Sequence, residues 1–196
     1  MNCLKTISVE NQFGKVRLWF LSSIIMIGYF LIFFMVFSTF FSTVPLVDHG
    51  VSFLLITLAL VLPIHLVLHC LPVWLVGKKA TFGIRKNQWP YFYYSTKQPL
   101  SKHMSLLSTG SPAFLLTGLS VVAAILLPQY VHYIAMMSAL NVGICVYDFM
   151  NFKQIKTAPK NCLIEENRDG FYVLYPTFNE NTNVFQDNIG PELKQR

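Results

Sequence analysis

Long apolar runs free of charge alternate along this chain with short polar segments. The first run, residues 18–41, is 24 residues without a charged side chain. It is too long for the core of a signal peptide and no small-residue cleavage site follows it, so it predicts a helix retained in a membrane. The second run, 51–76, is interrupted only by His65, His69, Pro63 and Pro72, and is closed by Gly77 and the pair Lys78-Lys79. The two prolines predict bends within one helix. The third, 113–127, is short unless its helix begins earlier, and the fourth, 131–150, contains Asn141 and Asp148. Pro128-Gln129 predicts the turn between them.

The polar segments carry their own patterns. In 78–112, the stretch KATFGIRKNQWPYFYYST alternates apolar and polar residues around Lys86-Asn87-Gln88, which predicts a β-hairpin. Trp89, Tyr91, Tyr93 and Tyr94 suit a membrane interface, and the same strand suits pairing with an extended substrate. PLSKHMSLLSTGSP then leads back to the membrane as an amphipathic helix from about Ser101, with His103 solvated or interfacial. In the tail, 151–196, strands at 162–165 and 171–174 predict a second hairpin, and the Asn-rich end after about 177 reads as disordered. The fold class is therefore an all-α multi-pass membrane protein. It has four spans, a hairpin loop and a short α/β or disordered tail, with boundaries at 1–17, 18–150 and 151–196.

Composition agrees with lipid as the solvent. The chain is 54% hydrophobic with a mean hydropathy of +0.48, and only 12% of its residues are charged. A net charge of +6 raises the question of nucleic acid. Its distribution answers no: all fifteen Lys and Arg residues fall before the first run, between the second and third, or after the fourth. By the positive-inside rule both termini and the 78–112 loop are cytoplasmic. Cys3, Cys70, Cys145 and Cys162 form no C-x-x-C pair, which excludes a zinc ribbon and a disulfide framework.

Ionisable residues inside spans are costly and so mark candidate function. His65 and His69, four apart, share one helix face. At about 1.5 Å per residue they lie roughly 21 and 27 Å below the outer end of their helix, and Asp148 lies roughly 25 Å down the fourth, which runs the same way. The three residues come level. Two imidazoles at i and i+4 with a distant carboxylate can supply three ligands to zinc and leave one position open. Asn141, Cys145 and Asp148, at i, i+4 and i+7, form one polar stripe, with Asn141 a candidate orienting group and Cys145 a spectator or a soft ligand. The other reading has the histidines hydrogen-bonding across helices with no metal, and Asp148 at a helix exit beside Lys153. Asp48 and His49 read as capping or loop residues, and His132 as interfacial.

PIHLVLHCLPVWLVG, the aromatic hairpin, PLSKHMSLLSTGSPAFLLTGL and ALNVGICVYDFMNFKQI together resemble a family of small bacterial membrane proteins described as putative zincin peptidases, distantly similar to site-2 proteases. The resemblance covers about Pro63 to Pro176. It implies a bacterial cytoplasmic membrane, an H-E-x-x-H motif on the second helix and an aspartate near the end of the last. The zinc-binding histidines fall on His65 and His69 and the aspartate on Asp148. The glutamate, general base toward the metal-bound water, falls on Leu66, and the glycine that tends to precede the aspartate falls on Tyr147.

A general acid-base group contributes about 10²- to 10⁴-fold in rate, and leucine cannot accept a proton. The expected function is therefore a catalytically impaired relative, with zinc as candidate cofactor, that binds or holds a membrane protein partner. Two alternatives stand beside it: an active intramembrane zinc peptidase with an unorthodox base, and a metal-free membrane interaction or immunity accessory protein.

Overall fold

A computed structural model describes residues 2–7, 13–84, 92–96, 98–159, 162–167 and 170–175. Four long helices dominate it: α1 (Lys15–Phe40), α2 (Gly50–Leu75), α3 (Lys102–Leu126) and α4 (Val131–Thr157). All four are long and apolar enough to cross a membrane. Their surfaces fit that solvent. On α1 only Leu18 and Phe33 are buried, while Trp19, Phe20, Ile24, Ile32 and Met35 face outward, an apolar surface that water would leave strongly unfavourable.

The expected runs recur with shifted ends. The lead-in segment from Ser101 and the run 113–127 are one continuous helix, α3, which restores the length a span needs. The last helix continues past 150 to Thr157. α2 passes through both Pro63 and Pro72 without a break in helical assignment. It ends at a glycine whose φ of 74° suits the left-handed position after a helix, with the Lys78 N–H returning to the Val73 carbonyl at 3.1 Å.

The strands gather where α1 and α3 begin and α2 and α4 end. β2 (Ala80–Ile84) pairs antiparallel with β3 (Phe92–Thr96), which is the expected hairpin. Its tip, with Trp89 and Tyr91, lies outside the described residues, as do the side chain of Tyr93 and the segment after 177. A second sheet runs β1-β6-β5-β4, built from Asn2–Ile7, Gly170–Tyr175, Leu163–Asn167 and Leu100–Ser101. The tail hairpin is present as β5 and β6. β1 and β4 have no counterpart in the apolar pattern, so the part beyond the helices is more extensively β than the all-α expectation. Ile155, Cys162, Ile164, Phe171 and Val173 form the core that seats this sheet on α4. Lys102 adds a polar tie, donating to the Lys156 carbonyl at 2.8 Å and to that of Ala158. A cation suits that end of α4, where helix carbonyls lack partners.

α1 lies against α4. Ser22 Oγ donates to the Gly143 carbonyl at 2.6 Å, and Tyr29 and Ser138 share a hydroxyl bond at 2.8 Å. Small residues at such crossings let backbones approach. A Cβ on Gly143 would come within 3.2 Å of Met26 Cβ. At the other end of the bundle, the Val47 N–H donates to the Gln129 carbonyl, and Tyr133 OH donates to Asp48 Oδ1 at 2.6 Å. Asp48 Oδ1 also accepts the Gly50 N–H at 2.8 Å, the turn-forming role expected for it at the start of α2.

Two outcomes follow from this packing. Gly143→Leu overpacks the α1–α4 contact and lowers stability by about 1–3 kcal/mol, whereas Gly143→Ala gains helix propensity that offsets its tight contact; unfolding in detergent micelles separates them. The Tyr133 hydroxyl, and then the Gly50 N–H, hold the Asp48 carboxyl below its ordinary value. A depressed folded-state value stabilises the fold above the unfolded pKa and loses that contribution as pH falls through the folded one. Tyr133→Phe therefore costs stability at neutral pH, and its difference from wild type shrinks below about pH 4, the ordinary aspartate range. A constant difference across pH overturns the assignment.

Candidate metal centre

His65 and His69 lie on one face of α2 and both are 3% exposed. Opposite them, α4 presents Asn141, Cys145 and Asp148. The structure brings the three first-choice residues together: His65 Nε2 is 3.1 Å from Asp148 Oδ2, His69 Nε2 is 3.4 Å from Asp148 Oδ1, and the two Nε2 atoms are 3.1 Å apart. Ligands about 2.0 Å from a tetrahedral zinc sit about 3.3 Å from one another. The three separations are of that length, with each imidazole facing a different oxygen of the Asp148 carboxylate.

The outer nitrogens determine what the inner ones offer. Asn141 Nδ2 donates to the Pro112 carbonyl at 3.2 Å, which turns its Oδ1 toward His65, and His65 Nδ1 lies 2.9 Å from that oxygen. His69 Nδ1 lies 2.8 Å from the Ser108 carbonyl. Both partners are pure acceptors, so in each ring Nδ1 carries the proton and donates. A neutral imidazole protonated at Nδ1 has a bare lone pair on Nε2. Two lone pairs and a carboxylate then face one another, and Asp148 Oδ2 has no hydrogen-bond partner although it sits 3.1 Å from His65 Nε2. With both rings neutral the contact is close in distance but brings acceptor to acceptor, and either a proton on one Nε2 or a metal cation makes it attractive. A cation at their meeting point turns mutual repulsion into attraction, so the donor set fits zinc.

The Ser108 carbonyl is available because of the residue four positions on. Pro112 has no N–H to donate back along α3, so that carbonyl is released to accept from His69, and from Ser111 Oγ at 2.9 Å. Pro72 does the same on α2. It releases the Leu68 carbonyl, which accepts Ser111 Oγ at 2.6 Å. Ser108 Oγ in turn donates to the His69 carbonyl at 2.6 Å. Each helix thus uses a proline-released carbonyl to bind the other, and the small buried residues Ser105, Ser108, Thr109, Gly110 and Ser111 allow the close approach. Ser108, Ser111 and Pro112 were not among the residues singled out by sequence. The proline placed four residues after a serine is the signal that would have found them.

Cys145 is buried, and its sulfur and the ligand atoms of His65 and Asp148 all lie within 4.8 Å of one another. Leu66 follows His65 on α2 and is partly buried. From the turn between α1 and α2, a groove of about 480 Å³ between α2, α3 and α4 runs from His49 and Tyr130 along Val61, Leu116 and Leu119 inward to Asn141. Its inner end therefore meets the residue that orients His65. His49 and Tyr130 belong to its mouth rather than to the centre, and His132 packs on Tyr133.

The family described as putative zincin peptidases matches residues 58–163, more than half of the 196-residue chain, and the span includes both histidines and Asp148. The chain belongs to that family. No curated protein and no solved structure matches the chain.

Asn141 acts on the centre only through His65, so its replacement separates orientation from ligation. Asn141→Leu removes the acceptor for Nδ1 and is expected to weaken zinc binding about 10- to 100-fold, the usual cost of losing an outer partner. Competition with a chromophoric chelator measures it. Unchanged affinity would show that the outer bond does not prepare the ring.

Proposed function

We propose that this chain is a membrane-embedded zinc-binding protein of the zincin peptidase family that holds a segment of a membrane protein partner without efficient hydrolysis. One observation carries the reading: the Nε2 atoms of His65 and His69 lie 3.1 Å apart and 3.1 and 3.4 Å from the two oxygens of Asp148, while the residue after His65, where the family motif has its general base, is Leu66. His65, His69 and Asp148 hold the metal, and Asn141 and the Ser108 carbonyl orient the two rings. Bound zinc supplies Lewis-acid polarisation of a carbonyl or of water. Leu66 can neither take a proton from water nor return one to a leaving amine, which removes a contribution of about 10²- to 10⁴-fold.

The apolar groove ending at Asn141 supports the partner-binding half. Its lining is aliphatic and aromatic for most of its length, which suits a membrane-spanning segment more than a polar peptide. The distribution of Lys and Arg supports a cytoplasmic side for both termini, the hairpin loop and the metal-proximal ends of α2 and α4, and the family resemblance supports a bacterial membrane.

Elemental analysis of detergent-purified protein tests the metal. Wild type is expected to hold about one zinc per chain, and His65→Ala and Asp148→Ala to lose it. Incubation with membrane-anchored peptides is expected to give no cleavage above that of His65→Ala. Substoichiometric zinc that ignores both substitutions would sink the metal reading, and cleavage abolished by His69→Ala and Asp148→Ala would replace the impaired relative with a working peptidase.

A further inference from the structure

We propose that Cys145 is the fourth ligand of the zinc, so that the centre is closed by a thiolate where a peptidase keeps water. The inference rests on the reading of His65, His69 and Asp148 as a zinc site. It goes beyond that reading by assigning the remaining vertex.

Position is the first argument. Cys145 lies between Asn141 and Asp148 on the face of α4 that meets the histidines, and its sulfur is within 4.8 Å of the ligand atoms of both His65 and Asp148. A tetrahedral centre with three nitrogen and oxygen donors has one vertex left, and the buried thiol lies on the His65–Asp148 side of the cluster. The side chain is 1% exposed, so water has little access from that direction.

Charge is the second. With two neutral imidazoles and one carboxylate, zinc leaves a net positive centre inside a bundle of apolar helices, where an uncompensated charge is expensive. One thiolate makes the centre neutral. The balance is simple: Cys145 S–H gives up its proton to bulk water as the sulfur–zinc bond forms, with no change of oxidation state. Leu66 is the third argument. A vertex occupied by sulfur holds no water to activate, so a leucine at the position of the base removes nothing that such a centre would use. The missing base and the buried thiol therefore describe the same centre, one built to bind metal.

Cobalt(II) substitution and zinc-edge X-ray absorption on the full-length protein in detergent test this. Cobalt-loaded wild type is expected to show a near-ultraviolet sulfur-to-cobalt charge-transfer band, and the zinc form one sulfur at about 2.3 Å. Cys145→Ser and Cys145→Ala should both lose band and sulfur shell, with affinity falling by more than the roughly 10- to 100-fold that an outer partner costs. Cys70→Ala should keep both signals, which excludes the other thiol on α2. One equivalent of metal bound with only nitrogen and oxygen neighbours would overturn the role of Cys145 and leave the three-ligand centre standing. Failure of wild type to bind either metal would overturn both. Since the wild-type spectra alone decide between sulfur and no sulfur, a variant that fails to fold does not protect the proposal.

Discussion

The meeting of two imidazole lone pairs with a carboxylate across α2 and α4 is the constraint around which the bundle is organised. In an apolar interior such an arrangement is repulsive unless something positive joins it. The chain does not relieve it by turning a ring. Each Nδ1–H is held outward by an acceptor with no proton of its own, the Asn141 side-chain oxygen for His65 and the Ser108 carbonyl for His69. Asn141 is itself held by the Pro112 carbonyl. Three helices are thus committed to one orientation of two rings.

That commitment also explains why α2 and α3 tolerate prolines at their contact. A proline within a helix forfeits one backbone bond and leaves a carbonyl without its donor, which in lipid costs more than in water. Here the Leu68 and Ser108 carbonyls receive donors from the opposite helix, Ser111 Oγ and His69 Nδ1–H. The defects in the two ladders become the cross-links. Ser108 and Ser111 therefore contribute to the centre although neither touches its inner face, and their hydroxyls and small size serve the same contact.

Much of this was legible in the sequence because helical rise and apolar run length are regular. A rise of about 1.5 Å per residue brings Asp148 level with His65 and His69, and the i, i+4, i+7 stripe places Asn141 and Cys145 on the same face of α4 as Asp148. Three charge-free runs and a fourth interrupted only by Asp148 announced the four helices. The parts that escaped depend on partners distant in the chain. β1 is six residues, NCLKTI, with no marked alternation, and it becomes a strand because β6, Gly170–Tyr175, offers it an edge. β4 is two residues long and exists only against β5. The role of Ser108 arises from Pro112 and His69 together, and no window of one helix contains both.

On the proposed reading, a member of the zincin family keeps three candidate metal donors while Leu66 stands where the motif would place its base. Without zinc, a histidine pair and an aspartate would need a proton on one ring to attract, and apolar residues of similar volume would pack as well. A catalytic centre, conversely, needs water at the metal and a group to move its proton, and Leu66 supplies none. A metal centre used for shape satisfies both observations. On that proposed reading it would join α2 to α4 and, through Asn141, fix the inner end of the groove between α2, α3 and α4. Binding free energy at such a centre is folding free energy. Loss of the metal would then be felt first where α2 meets α4, and the groove would lose its floor before the bundle lost its helices.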